Sequence, residues 1–210
     1  MTLIEDAIID FMRKKAQEGK PSKNVFNASE AGLCPLRIYL ERTTEIPEPI
    51  HLLRLQTRGT LMHIGLMEII RRYNPIAETE VLFEKEIEEN IILRGRLDVL
   101  VNHTIEEFKT VTKLPDEPFK EHTAQVQAYM YLTSINNAFI VYYDVTTGKM
   151  KSFLIKRDEN MINNIINKFL YVYECLMKET EPNYEVSPFC DYCKFKKLCP
   201  AFKNTKLFWQ

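Results

Sequence analysis

The part of the chain that most constrains its fold is the stretch GRLDVLVNHTIEEFKTV, residues 95–111. Apolar and polar residues alternate on both sides of an Asn-His pair at 102–103, which predicts two antiparallel strands joined by a tight turn. Closing the hairpin at this pair places Asp98 directly opposite Glu107, with Lys109 on the same face. The hairpin therefore sets two carboxylates side by side.

Two carboxylates this close would destabilise an ordinary hairpin. The Cβ atoms of a directly opposed pair lie roughly 5 Å apart, and two unit charges at that distance repel by about 3 kcal/mol at an effective dielectric of about 20. The repulsion disappears if a divalent cation binds between the acids or if one acid keeps its proton. Neutralisation of exposed acids by Lys109 is the structural alternative. The neighbouring residues instead indicate buried, central strands, since many are apolar: Leu97, Val99, Val101, Ile105, Phe108 and Val111.

The pattern Gly-x-x-Asp followed by Glu-x-Lys suits metal-assisted hydrolysis of phosphodiester bonds. Two carboxylates bind Mg²⁺ or Mn²⁺ while leaving positions for water and phosphate oxygens. The metal lowers the pKa of its water and offsets charge in the transition state, and a neighbouring lysine orients the water or stabilises that charge. Asp98, Glu107 and Lys109 are therefore the candidate catalytic residues.

The rest of the chain predicts an α/β or α+β fold with a mixed sheet. An amphipathic helix is predicted at the start of the chain. Further helices are predicted over about 29–41, 50–73, 117–134 and 159–179. Strands are predicted from residue 80 onward, then at the hairpin, and finally at 138–145 and 150–156.

The composition is that of a soluble globular protein. Of 210 residues, 45% are hydrophobic and 27% are charged, and the net charge is −1. This balance neither supports nor excludes a nucleic-acid partner. The first residues do not resemble a signal peptide and no stretch is apolar enough to span a membrane, so the expected location is the cytoplasm. No GxxxxGK[ST] loop indicates an ATP motor.

Three of the five cysteines form the C-terminal group Cys190-x2-Cys193-x5-Cys199, and Cys34 is the candidate for a fourth ligand. Disulfides are not expected in a chain without a secretory signal. Cys175 lies in an apolar helical run and is predicted to be buried. Four thiolates hold either Zn²⁺ or a 4Fe–4S cluster, and the spacing favours the cluster.

Taken together, these motifs resemble the PD-(D/E)XK nuclease core, with Leu97 in place of the proline of that name. Gln125 and Tyr129, one helical turn apart, resemble the Q-x-x-x-Y motif of the RecB-type branch. His63, which follows Gly59 in an early helix, resembles the metal-binding histidine of that branch. With its cysteines, the chain resembles the iron–sulfur RecB-type nucleases, closest to the fourth CRISPR-associated (Cas) exonuclease family.

The resemblance implies a role for each of these residues. It assigns four ligands to a catalytic Mg²⁺ or Mn²⁺: His63, Asp98, Glu107 and the backbone carbonyl of Phe108. Lys109 would assist the attacking water. DNA binding is assigned to two residues of one helix: Gln125 and Tyr129. A 4Fe–4S cluster is assigned four ligands: Cys34, Cys190, Cys193 and Cys199.

The resemblance also implies a domain organisation. A single nuclease domain would span 1–210, with a helical part at 29–75 that carries the first cluster cysteine. The catalytic sheet and helix would occupy 80–157, and the C-terminal helix and cysteine tail 158–210. The fold class is α/β, with a mixed central sheet flanked by helices and a cluster that joins the N-terminal helix to the tail.

The implied function is that of a Mg²⁺- or Mn²⁺-dependent DNA exonuclease. It would digest single-stranded DNA from the 5′ end and prepare new spacers with the CRISPR integrase complex. A homo-oligomer is left open and no membrane partner is expected. Two alternatives stay open: a stand-alone viral or mobile-element nuclease of replication or recombination, and a non-catalytic iron–sulfur DNA-binding subunit. A radical enzyme is disfavoured because no CxxxCxxC motif is present.

Overall fold

The computed structural model describes residues 2–16 and 20–202. The helices of the described residues are α1 (Leu3–Ala16), α2 (Pro35–Thr43), α3 (Ile50–Tyr73), α4 (Lys120–Thr133) and α5 (Glu159–Lys178), with short 3₁₀ helices at Ala28–Glu30, Pro188–Tyr192 and Pro200–Phe202. The strands are β1 (Val25–Asn27), β2 (Glu78–Glu88), β3 (Ile91–Val101), β4 (Thr104–Val111), β5 (Asn137–Asp144) and β6 (Met150–Lys156).

The described residues form two compact units. The first unit consists of residues 2–16, 20–23, 34–58 and 171–202, and the second consists of 24–33 and 59–170. Helices α3 and α5 each contribute residues to both units. All strands of the described residues, together with α4, belong to the second unit.

The second unit is built on a mixed six-stranded sheet, as predicted. Strand β3 is its centre, because it pairs with β2 antiparallel, with β1 parallel and with β4 antiparallel. Strand β4 continues the sheet to β5 in parallel, and β5 pairs with β6 antiparallel.

The hairpin of β3 and β4 closes at the predicted turn. Asn102 and His103 both have positive φ, 47° and 57°, as the two central residues of a type I′ turn require. The ladder then pairs Val101 with Thr104 and ends where Val99 pairs with Glu106. The next predicted step, Asp98 opposite Glu107, is not part of this ladder. Beyond it β3 pairs with β1 through residues 92–94, while β4 continues along β5. The two strands therefore separate at Asp98 and leave a fork in the sheet.

Helix α4 packs closely on β3 because Gly95 has no side chain. A Cβ atom at Gly95 would lie 2.7 Å from Leu132 Cδ1 and 2.9 Å from Tyr129 Cδ1. At that distance the hydroxyl group of Tyr129 reaches the backbone of β3, where it donates to the Arg96 carbonyl at 3.0 Å. Gly95 thus fixes α4 beside the fork.

Each unit has its own apolar core. In the second unit the rings of Phe26 and Phe169 stack with centroids 4.8 Å apart, and Tyr142 is fully buried. In the first unit Phe195, which lies between Cys193 and Cys199 in the sequence, is buried, and Cys175 is buried as predicted.

The helix predicted over 29–41 is interrupted in the structure. A short 3₁₀ helix at Ala28–Glu30 is followed by a turn, and α2 begins at Pro35. Proline has no N–H to continue a preceding helix and is favoured at the first helical position. Among residues 2–16 and 20–202, no helix has both the length and the apolar composition needed to cross a bilayer.

Candidate active site

The fork between β3 and β4 brings Asp98 and Glu107 together from adjoining strands. Asp98 is 8% exposed and Glu107 is 2% exposed. The backbone N–H of Phe108 donates to Asp98 Oδ2 at 2.8 Å, which fixes the aspartate carboxylate against β4. The two acids are neighbours in space even though their residues are not ladder partners.

Burial changes the protonation of both acids. Burial raises the pKa of Asp98, against the opposing effects of the Phe108 N–H and the Lys109 charge. Burial also raises the pKa of Glu107 to about 7, with Lys109 acting to lower it and Asp98 to raise it further. The site therefore favours a bound positive charge, either a proton or a cation, over two free carboxylates.

The two carboxylate oxygens of Glu107 differ in their hydrogen bonds to the described residues. Its Oε1 lies 2.8 Å from Lys109 Nζ and accepts a hydrogen bond from Gln125 Nε2 at 2.9 Å. Its Oε2 is buried and receives no hydrogen bond from any of the described residues. A buried carboxylate oxygen without a donor is costly, and a metal ion bound at Oε2 would remove that cost.

Gln125 and Tyr129 lie one turn apart on α4 and connect the site to β3. Gln125 Oε1 accepts from Lys109 Nζ at 2.8 Å, and Gln125 Nε2 donates to Tyr129 Oη at 2.6 Å. Tyr129 Oη in turn donates to the Arg96 carbonyl. Both side chains are buried, so their polar groups here bind protein partners. Their role in DNA binding stays a prediction, whereas these hydrogen bonds directly position Lys109 and Glu107.

His63 reaches the same site from α3. Its Nδ1 lies 3.7 Å from Asp98 Oδ2, and its Nε2 contacts Glu80 Oε1. In the described part of the chain, His63, Glu80 and Asp98 are the one group of three or more His, Cys, Asp or Glu residues with ligand atoms within 4.8 Å of one another. The predicted ligands His63 and Asp98 are therefore together, but the third member is Glu80 rather than Glu107.

Glu80 is the site residue that sequence reasoning missed. It lies in β2, where acids recur at 78, 80, 84, 86 and 88, and no local pattern distinguishes it from the others. In the structure, the backbone distinguishes Glu80 from these other acids. Its φ of 59° is in the left-handed region, which non-glycine residues rarely occupy.

The donor set fits a divalent cation. His63 from α3, Glu80 from β2 and Asp98 from β3 have ligand atoms within 4.8 Å of one another. Glu107, the acid that acts on the pKa of Asp98, has a buried Oε2 that receives no hydrogen bond from any described residue. Carboxylate oxygens are preferred by Mg²⁺ and Mn²⁺, and imidazole is a common additional ligand of transition metals.

The predicted cluster cysteines all belong to the first unit. The Sγ atom of Cys34, at the start of α2, accepts a hydrogen bond from Glu185 N at 3.2 Å. Burial raises the pKa of the Cys193 thiol, and the neighbouring thiols of Cys190 and Cys34 act in the same direction. Cys34, Cys190 and Cys193 are therefore close enough to influence one another. Cys199 follows in the same loop, its N–H bonded to the Phe195 carbonyl at 3.1 Å.

The spacing of these thiols bears on the ion they could hold. No three of the four described Sγ atoms lie within 4.8 Å of one another. Ligands of one zinc ion, each at about 2.3 Å, lie at most about 4.6 Å apart. A four-iron cluster separates its thiolates more widely than one zinc ion does. The binding of a cluster by these four cysteines stays a prediction.

The fold and the site define an α/β core with buried carboxyl groups on two diverging strands, next to a lysine and a histidine. The family model of the PD-(D/E)XK nuclease superfamily matches residues 68–200, and the protein belongs to this superfamily.

Two kinds of relatives agree with this assignment. The chain is 24% identical over 213 residues to the CRISPR-associated exonuclease Cas4 of Saccharolobus solfataricus, covering 92% of this chain and 98% of that protein. The crystal structure of SSO0001 matches with a TM-score of 0.70 and 22% identity, covering 96% of this chain and 97% of that one. An alkaline exonuclease, LHK-Exo of Laribacter hongkongensis, matches with a TM-score of 0.53 and 18% identity over 74% of this chain and 89% of its own. At these identities the two structures establish a shared fold.

Proposed function

We propose that the protein is a DNA exonuclease that depends on Mg²⁺ or Mn²⁺ and digests single-stranded DNA from its 5′ end. The observation that carries this proposal is the buried Oε2 of Glu107, which has no hydrogen-bond donor among residues 2–16 and 20–202 and lies in a site shared with Asp98. Two buried acids with raised pKa values are unfavourable as free carboxylates and favourable as ligands of a cation.

The metal ligands in this proposal are Asp98, Glu107, His63 and the carbonyl of Phe108. The N–H of Phe108 faces Asp98, and the N–H and C=O of a strand residue point to the same neighbouring strand. The carbonyl of Phe108 therefore also faces the fork. When bound, the metal would activate a water molecule and offset charge on the phosphate in the transition state.

Lys109 supplies the protein's own positive charge. Its Nζ is held between Glu107 Oε1 and Gln125 Oε1, both at 2.8 Å. A held ammonium group donates hydrogen bonds that orient an attacking water molecule and stabilise developing charge on phosphate oxygens. Gln125 keeps the ammonium group in place, and Tyr129 keeps Gln125 in place through its own bond to β3.

The cluster is part of the same proposal. Cys34, Cys190, Cys193 and Cys199 would bind a 4Fe–4S cluster with a structural role in the first unit. Lys194 follows the second cysteine of the tail and forms ion pairs with Glu41 Oε2 at 2.7 Å and with Glu48 Oε2 at 3.7 Å. These ion pairs and the cluster would together join the cysteine loop to the region around α2.

The pathway in this proposal is spacer acquisition with a CRISPR integrase complex in the cytoplasm. Support comes from the similarity to the Saccharolobus exonuclease Cas4 along nearly the full length of both chains. A stand-alone nuclease would share the same site chemistry. A non-catalytic subunit is disfavoured because Asp98, Glu107 and Lys109 are all present and in contact within the fork.

The proposal is tested with linear single-stranded DNA labelled at either end, in Mg²⁺, in Mn²⁺ and with a chelator. We expect mononucleotides or short products from the 5′ end, none with the chelator, and no cleavage of circular single-stranded DNA. Degradation that persists with the chelator would remove the metal mechanism, and cleavage of the circle would remove the exonuclease assignment.

A further inference from the structure

Glu80 occupies an unusual position in β2. Thr79 pairs with Val99 and Val81 pairs with Leu97, so Glu80 is the residue in register with Asp98, yet the pair of Glu80 and Asp98 is absent from the ladder. The backbone of Glu80 leaves the extended conformation, with a φ of 59°. A non-glycine residue is strained in this region and is retained only where the surrounding structure holds it.

The carboxylate of Glu80 is held by two side chains. Its Oε1 contacts His63 Nε2, and its Oε2 lies 3.0 Å from Arg96 Nε. The other imidazole nitrogen, Nδ1 of His63, faces Asp98 Oδ2 at 3.7 Å. The imidazole therefore lies between two carboxylates, with one ring nitrogen directed to each.

A ring nitrogen of histidine binds a metal only when it carries no proton. The hydrogen bond made by the other ring nitrogen holds the proton there and so determines which nitrogen is available to the metal. In a neutral ring, Nε2 is within hydrogen-bonding distance of Glu80 Oε1, an acceptor held by Arg96, whereas Nδ1 lies 3.7 Å from Asp98 Oδ2, so this geometry favours the proton on Nε2. Nδ1 is then the free nitrogen, on the side of Asp98. We propose that Glu80 is a positioning residue that fixes the tautomer of His63 and makes Nδ1 its metal-binding atom.

This inference rests on the proposed function for the metal, but its first test does not need one. In metal-free protein labelled with ¹⁵N-histidine, the two ring nitrogens of His63 give distinct resonances, which the His63→Asn variant identifies. At a pH at which the imidazole carries a single proton, we expect that proton on Nε2 in the wild type and a mixture of the two tautomers in Glu80→Ala. A wild-type His63 protonated at Nδ1, or an unchanged tautomer in Glu80→Ala, would overturn the proposal.

The second test is Mn²⁺ affinity, measured by calorimetry. Loss of a carboxylate behind a metal-binding histidine costs about 10–100-fold in affinity, and we expect that loss in Glu80→Ala. Glu80→Gln should keep most of the affinity, because its amide oxygen still accepts a hydrogen bond from Nε2–H. If Glu80→Gln loses as much as Glu80→Ala, Glu80 is itself a ligand and the positioning role is wrong.

Glu84→Ala is the matched control for these variants. Glu84 lies on the same strand and forms the corresponding cross-strand ion pair with Arg94, without a histidine. Its removal should leave Mn²⁺ affinity and the His63 resonances unchanged. If Glu80→Ala does not fold, the wild-type tautomer and the Glu80→Gln affinity still decide. A wild-type protein that binds no Mn²⁺ would contradict the proposed metal-dependent nuclease mechanism. The tautomer of His63 would still show whether Glu80 positions that ring.

Discussion

The partly buried Lys109 forms an ion pair with the buried Glu107, with Nζ 2.8 Å from Oε1. The two residues are separated by one position on β4 and so share a face of the strand. The lysine is therefore both the proposed helper of the water molecule and the counter-ion of a buried acid. Variants of this pair should separate a chemical effect from an effect on stability.

Lys109→Ala should lower the rate of DNA cleavage by at least about 100-fold, since a held donor to the transition state contributes an effect of this size. It should also destabilise the protein at about pH 8 by roughly 2–4 kcal/mol, because the buried carboxylate of Glu107 loses its positively charged partner. Both quantities are measured by steady-state cleavage and by urea unfolding. Lys113→Ala, at an exposed position on the loop after β4, is the control. A Lys109→Ala protein that degrades DNA at the wild-type rate contradicts the mechanism.

Glu107→Gln should make the metal-free protein more stable at alkaline pH. The pKa of Glu107 is raised to about 7 in the folded protein, so the folded state holds a proton that the unfolded state has released. The stability that this proton confers is complete below the ordinary glutamate pKa and is lost as the pH rises through about 7. Between about pH 5 and pH 8, the free energy of unfolding of the wild type should fall by roughly 2–3 kcal/mol relative to that of Glu107→Gln.

At about pH 8, Mn²⁺ should make the wild type more stable than Glu107→Gln, the reverse of the order expected without metal. A ligand that binds only the folded protein stabilises it, so the wild type should gain stability with Mn²⁺ and Glu107→Gln should gain little. Urea unfolding with and without Mn²⁺ measures both effects. An equal gain in the two proteins would show that Glu107 is not a ligand.

His122 should make the protein sensitive to acid. Burial lowers the pKa of His122 to about 3, with the charge of Lys109 acting in the same direction, and its Nδ1 lies 2.9 Å from Tyr142 Oη. The folded state therefore keeps the imidazole neutral, and the stability that it contributes is present above the ordinary histidine pKa and lost as the pH falls toward 3.

His122→Asn removes the titrating group and keeps a side-chain oxygen as an acceptor for the Tyr142 hydroxyl group. Between about pH 7 and pH 4 the variant should lose roughly 2–3 kcal/mol less stability than the wild type. His51→Asn, at an exposed position in the first turn of α3, is the control and should follow the wild type. Parallel pH curves for wild type and His122→Asn would show that His122 titrates normally.

Four of the cysteines should bind the iron–sulfur cluster, and Cys175 should not. Protein purified without oxygen should be coloured and contain iron and sulfide, and Cys34→Ser or Cys193→Ser should lose both. Cys175→Ser is the matched control, because Cys175 is buried in α5 and should leave the cluster intact. A colourless wild-type protein that contains zinc would overturn the cluster assignment.

The parts of the fold that the sequence predicted are those with a strong local signal. The hairpin has alternating apolar residues around a turn of residues that tolerate positive φ, and its register followed from counting outward from that turn. The long helices α3 and α5 carry sustained helical periodicity. The separation of β3 and β4 at Asp98 was not predictable, because it depends on the pairing of β3 with β1, a strand of three residues without a periodicity of its own.

The residues of the candidate site also divide into those with a local sequence signal and those whose place depends on the tertiary structure. Asp98, Glu107 and Lys109 were predictable because neighbouring strands bring them together within a short stretch of sequence. Glu80 was not, since its place in the site depends on an interruption of the β2–β3 ladder and on a helix that brings His63 to it. The burial of Gln125 and Tyr129 was also beyond the sequence, because it depends on how closely Gly95 lets α4 approach.

The most direct test of the central claim is Mn²⁺ binding and DNA cleavage by Asp98→Asn. Asparagine has nearly the same shape and its side-chain oxygen can still accept a hydrogen bond from Phe108 N, so the fold should be kept. We expect the wild type to bind Mn²⁺ and to cleave single-stranded DNA, and we expect Asp98→Asn to lose at least about 100-fold in cleavage together with most of its Mn²⁺ affinity. An Asp98→Asn protein that binds Mn²⁺ and cleaves DNA like the wild type would contradict the account.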